Sequence, residues 1–192
     1  MADSNITKQA LAASLKELMG ETPFDKINVA QICERCGMNR KSFYYHFRDK
    51  YDLVNWIFDT DFIALASAAS ASESYRVRWD FVEQICDYFY ENRDFYRGAF
   101  QITGQNSFTE HFTEYIGSSL KARLALILGD DQADEFSVDF YTDAVLCAIK
   151  RWLLVKHCMP PEEFVARVKR LVESGAKIIY REIEPQNEDR GA

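Results

Sequence analysis

The chain has no uninterrupted apolar run approaching the roughly 20 residues of a membrane-spanning helix, so no span is expected. Its cysteines number five in 192 residues, an odd count that argues against a secreted disulfide framework. The opening MADSNITKQ lacks the charged-then-apolar pattern of a signal peptide, which makes cytoplasmic residence the expectation. No internal repeat is visible, and strand signals are few. A nucleophile elbow, a phosphate loop and an HExxH pair are all missing, so neither catalysis nor a cofactor is expected. Cys33-Glu34-Arg35-Cys36 has the spacing of a redox or metal pair, but no second pair follows at zinc-site distance, and His157-Cys158 is a sparse ligand set. No metal is expected, and packing is the favoured role for Cys33 and Cys36.

What is present is a hydrophobic content of 47%, which excludes disorder, in a length that fits one domain or two small ones. The net charge of -7 is unevenly placed. Residues 1–50 hold 8 Lys/Arg and 6 Asp/Glu, net +2, and the remainder 15 and 24, net -9. Between residues 40 and 50 the cations Arg40, Lys41, Arg48 and Lys50 face Asp49 alone, with His46 able to add charge beside phosphate. A basic patch on an acidic body confines any polyanion to one face.

That patch sits in an informative stretch, INVAQICERCGMNRKSFYYHF, from Ile27 to Phe47. Asn28 is suited to cap a helix whose apolar face is Val29, Ile32, Cys33 and Cys36. Gly37 suits the left-handed conformation that stops a helix, and Asn39 can cap the next one. In that second helix Met38, Phe43 and Phe47 supply packing mass, leaving Arg40, Lys41, Ser42, Tyr44 and His46 for another surface, while Tyr45 is open to either side. A short buttressing helix, a tight turn and a helix that opens with cations form the pattern that presents a helix to the major groove of DNA. Arg40 and Lys41, on its first turn, are the candidates for base edges, because arginine can bond two acceptors of guanine at once.

At Gly37-Met38-Asn39, Ser42, Phe43-Tyr44 and His46-Phe47, continuing into Asp49-Lys50-Tyr51-Asp52-Leu53, the sequence resembles the TetR family of bacterial regulators. Lys41 stands where many members carry a small residue or proline. The resemblance implies an all-α fold, with a three-helix DNA-binding domain over residues 1–50 and a helical effector-binding and dimerisation domain over 51–183. It adds Ser42, Tyr44, His46 and Lys50 as phosphate contacts, a role that needs donors or cations without sequence discrimination, and Tyr45 is counted with them as a candidate DNA contact. It further implies a homodimer on a palindromic operator, a small-molecule effector, and an interface built from the last two helices.

The remaining periodicity is helical. Ala10, Leu11, Leu15, Leu18 and Met19 line a first helix that ends at Gly20 and Pro23, and Phe24 is placed to pack beneath the helix-turn-helix. A longer helix starts near Asp49 and carries Leu53, Trp56, Ile57 and Phe62 into the small-residue stretch Ala64 to Ser74, read as a linker. Five further helices follow, for about nine in all: Val82 to Phe89, Phe95 to Phe100, Phe108 to Ile127, Phe136 to Trp152, and one opened by Pro160-Pro161. The polar residues 184–192 are expected to be a frayed tail. On the last two helices Ala144 and Ala148 are small and four apart, flanked by Tyr141 and Trp152, and with Leu171 they form the candidate dimer interface.

The aromatic content of the second half suits an apolar effector pocket and an ordinary core alike, with Gln105, Asn106 and His111 as candidate polar handles. The leading expectation is a repressor released by a small effector. Phe89 to Phe100, FYENRDFYRGAF, also resembles a subgroup that includes activators of dihydroxyacetone kinase operons, which implies the alternative of an activator working with a protein co-regulator. A different function class, a helical protein-docking module without DNA specificity, has no need for Arg40, Lys41, Arg48 and Lys50 together.

Overall fold

The computed structural model describes residues 2–69, 79–104, 107–128 and 134–183, and among these every regular element is helical. Helix α1 (Ala2–Glu21) is followed by a 3-10 turn (Phe24–Lys26), then α2 (Val29–Arg35), α3 (Arg40–His46) and α4 (Lys50–Ala69). The second half comprises α5 (Trp79–Glu91), α6 (Arg93–Ala99), α7 (Phe108–Leu128), α8 (Glu135–Leu154) and α9 (Pro161–Ile183). The nine expected helices are thus present among the described residues. The expected tail lies outside them.

The stretch read as a linker is only partly so placed: residues 64–69 continue α4, and 70–74 lie outside the described residues. Alanine carries the highest helix propensity, so a run of small residues extends a helix as readily as it ends one.

Helices α1, α2 and α3 pack around Leu11, Leu15, Ile27, Ile32, Phe43 and Phe47, with Phe24 buried beside them. α4 joins this cluster to the second half. Its Leu53, Val54 and Ile57 are buried in the same core, and Trp56 lies 5.6 Å from Phe47, ring to ring. One turn further, Phe58 and Phe62 enter a second aromatic group formed with Phe89 of α5 and with Phe108, Phe112 and Tyr115 of α7. Phe58 alone meets Phe62, Phe108, Phe112 and Tyr115 at centroid distances of 4.7 to 5.6 Å, mostly edge to face.

Polar ties reinforce the same joints. Lys16 of α1 pairs with Asp61 of α4 at 2.7 Å, and Asp61 accepts the Tyr88 hydroxyl at 3.2 Å. His111 of α7 meets Asp59 of α4 at 2.6 Å. Arg97 of α6 donates through Nε to the carbonyl of Leu153 at 2.6 Å and through a terminal nitrogen to Val155 at 2.8 Å, capping the end of α8.

Because Phe58 is fully buried at the centre of this aromatic group, Phe58→Ala is expected to cost about 3 to 5 kcal/mol. Urea unfolding checks this, and a loss below about 1 kcal/mol would show that the joint repacks around the gap.

Candidate nucleic-acid interface

The helix-turn-helix is built from local chemistry. Asn28 caps α2 reciprocally: its side chain accepts from the Gln31 N–H at 3.1 Å, while the Gln31 side chain accepts from the Asn28 N–H at 2.8 Å. The turn closes with Met38 N–H donating to the Cys33 carbonyl at 2.8 Å, which is possible because Gly37 adopts φ +68°. Asn39 then caps α3, accepting from the Ser42 N–H at 2.8 Å and the Ser42 hydroxyl at 3.2 Å.

The faces of α3 separate cleanly. Phe43 and Phe47 are buried, and Met38 packs against the core. On the other side Arg40 and Lys41 are exposed, with Tyr44 at 58% and Tyr45 at 82% of their full exposure. Tyr45, open to either side on sequence grounds, points outward. Tyr44 rests its ring edge-on against Phe43 at 5.5 Å, and the half-buried His46 ring stands 4.8 Å from Tyr45. Arg48, counted in the basic patch but not singled out as a contact, is 81% exposed at the end of the same helix. Its outward direction follows from the extended backbone at Phe47, which no apolar periodicity announces.

Lys50 is placed differently from its expected role at the phosphate backbone. Its ammonium donates to the carbonyls of Phe24 and Ile27, both at 2.7 Å, approaches that of Asp25 at 3.4 Å, and lies 4.3 Å above the Phe24 ring. Burial pushes its pKa below the ordinary lysine value, with Asp25 opposing the shift. An ammonium has three donors, and all three point at backbone oxygens.

The cysteines beside the turn fit the packing role. Cys33 is buried, and its thiol is pushed up by burial and by the neighbouring Cys36, against a smaller opposing effect of Arg40. Cys36 Sγ lies 3.4 Å from the Ile32 carbonyl. Among the described residues no group of three or more His, Cys, Asp or Glu is placed to hold a metal ion.

The candidate interface residues of α8 and α9 divide. Tyr141, Ala144, Ala148 and Leu171 are exposed, Leu171 at 74%. Trp152 is not available for that surface: it is buried within its own chain, stacked on Phe164 at 4.5 Å and donating its indole N–H to the Met159 carbonyl at 2.8 Å. Spacing alone sets it on the same side of α8 as Ala148, and it is the Phe164 and Tyr90 rings and the Met159 carbonyl that hold it inward. Of the candidate polar handles, His111 is bound to Asp59, and Gln105 and Asn106 lie outside the described residues.

Within the second aromatic group the described rings pack on one another. Tyr96 is fully buried with its hydroxyl 2.6 Å from that of Tyr88, and burial pushes both phenols well above their ordinary values. A cleft of about 300 Å³ opens elsewhere, between the end of α1 and α6, lined in part by Met19, Phe24, Arg97, Gly98 and Ile102.

An all-helical chain whose capped, outward-facing α3 carries cations on its first turn is of the helix-turn-helix class of transcriptional regulators. The profile described as "Bacterial regulatory proteins, tetR family" matches residues 11–57, and that of a "Transcriptional regulator C-terminal region" matches 78–174. The chain belongs to the TetR family. It is 26% identical over 164 residues to the dhaKLM operon transcriptional activator DhaS of Lactococcus lactis subsp. lactis strain IL1403, covering 81% of this chain and 83% of that protein. Among solved structures it is similar to a TetR transcriptional regulator from Streptococcus agalactiae 2603V, with a TM-score of 0.65 and 19% identity over 89% of this chain and 96% of the other. It is also similar to NalD, the secondary repressor of the MexAB-OprM multidrug efflux pump in Pseudomonas aeruginosa, with a TM-score of 0.62 and 18% identity over 90% and 96%.

If Lys50 is a structural tie, Lys50→Met costs about 1.5 to 3 kcal/mol of stability and leaves the slope of log Kd against log salt unchanged. Thermal unfolding and a salt titration of DNA binding check the pair of expectations. A slope shallower by about 0.9 with unaltered stability would return Lys50 to the phosphate backbone.

Proposed function

We propose that this protein binds a palindromic operator as a homodimer, with Arg40 and Lys41 at base edges and Ser42, Tyr44 and His46 on phosphate. Tyr45 and Arg48 complete the DNA-facing surface. The observation that carries this reading is the division of α3 into a buried phenylalanine side and an exposed side bearing Arg40, Lys41, Tyr44 and Tyr45. Residues 1–50 act as the DNA-binding domain and 51–183 as the regulatory and dimerisation domain, in the cytoplasm. One short helix buries little surface, and a two-fold pair spaced about 34 to 36 Å reaches successive major grooves. Residues Tyr141, Ala144, Ala148 and Leu171 supply the exposed apolar side for that pairing. A monomeric mass at micromolar concentration would defeat it.

Control by a small effector that releases a repressor has the α1–α6 cleft to draw on, whose volume of about 300 Å³ lies at the low end of the ligand range. A second reading, activation with a protein partner, is favoured by the aromatic interior, whose rings and hydroxyls are already paired with one another, and by the similarity to DhaS, named as an activator. Deleting the gene and reading its target promoters separates the two. Expression rises for a repressor and falls for an activator.

Selecting bound duplexes from a random pool, at constant salt and with Arg40→Ala in parallel, tests the DNA reading. A palindrome is expected, and the substitution should cost about 1 to 3 kcal/mol and relax one position per half-site. An unchanged preference would remove Arg40 from the base edge, and no enrichment by either protein would favour the docking-module alternative.

A further inference from the structure

Along the exposed side of α8, Phe136, Phe140, Asp143, Cys147, Arg151 and Leu154 recur every three or four residues, forming one seam down the helix. Phe136 is 77% and Phe140 60% exposed, and the opposite side of the helix is occupied by the buried Val138, Thr142, Ile149, Trp152 and Leu153. The seam is ordered by charge as well as by shape. Its acid, Asp143, lies in the first half of the helix and its base, Arg151, in the second half, and the flanking Asp139 and Lys150 follow the same order. Neither Asp143 nor Arg151 meets an opposite charge among the described residues.

Such a seam matches itself when reversed. Positions equally distant from Cys147 are chemically complementary: Asp143 corresponds to Arg151, and Phe140 to Leu154. A parallel copy would instead set Asp143 against Asp143 and Arg151 against Arg151. A two-fold axis, which brings each surface into contact with its own image, satisfies the reversed arrangement without further adjustment.

We propose that α8 pairs antiparallel with α8 of a second copy in the register centred on Cys147. This rests on the homodimer reading above and adds the partner-facing register to it. Two reciprocal Asp143–Arg151 pairs then flank the axis, each bounded by a Phe140–Leu154 contact, and the small Ala144 and Ala148 beside Cys147 let the two helices approach to about 8 Å. Leu171 and Val172 of α9 are exposed as well, and a second copy would cover them if it reaches that helix.

Charge exchange on the full-length protein tests the register, read by sedimentation equilibrium. Asp143→Arg and Arg151→Asp are each expected to weaken the dimer about tenfold or more by placing like charges together, and the double exchange D143R/R151D to restore it. Circular dichroism and thermal unfolding confirm that each variant is folded, and rescue by the double exchange excludes a merely damaged fold. Oxidation with diamide provides an independent reading: a covalent dimer is expected from the wild type and not from Cys147→Ser, since only at the axis do two copies of one cysteine come within disulfide reach. A dimer that neither cross-links through Cys147 nor shows rescue overturns the register while leaving the homodimer intact. A wild-type chain that is monomeric throughout overturns both.

Discussion

A seven-residue helix does not hold itself together in water, so α3 exists because its inner side is buried and its start is capped. Phe43 and Phe47 supply the burial, and Asn39 the cap. This division sets what the outer side is free to be. Since Arg40, Lys41 and Tyr45 stand outside the buried side, these positions can be given over to recognition, and the tight turn at Gly37 sets the angle at which they are presented.

The same constraint explains why the rest of the chain is organised around α4. Lys50 ties its first turn to the carbonyls after α1, Trp56 backs Phe47, and Phe58 is locked among the rings of α7. A rigid strut of this kind passes displacements between α7 and α3 instead of absorbing them, because close-packed interiors deform little. Arg97 continues the connection by gripping the last carbonyls of α8, the helix with the proposed partner-facing seam. Whatever signal reaches α8 therefore has a continuous packed route to α3, the proposed recognition helix. Such a route is a physical precondition for coupling.

How much of this could be read from residues alone follows from the range of each interaction. The caps at Asn28 and Asn39 and the stop at Gly37 depend on neighbours within three residues, and all three were legible. So was the inward direction of Phe43 and Phe47, from helical spacing. Lys50 and Trp152 were not, because what captures them comes from elsewhere in the chain: the Phe24 and Ile27 carbonyls in one case, Phe164 and Tyr90 in the other. A lysine in a basic patch looks the same whether it faces phosphate or a turn. The end of α4 was obscured for another reason, since the Ala-Ser composition of residues 64–69 serves a helix and a linker equally well. Likewise the aromatic residues of the second half announced an apolar interior, and only their mutual contacts distinguish a filled one.

In the proposed complex α3 enters the major groove, twice, on one face of a duplex. Methylation interference on a selected duplex, combined with hydroxyl-radical footprinting, tests it most directly. Methyl groups at guanine N7 are expected to block binding in two major grooves about 34 to 36 Å apart, with protection confined to one side of the helix. Interference in the minor groove, or protection spread evenly along the duplex, would contradict it.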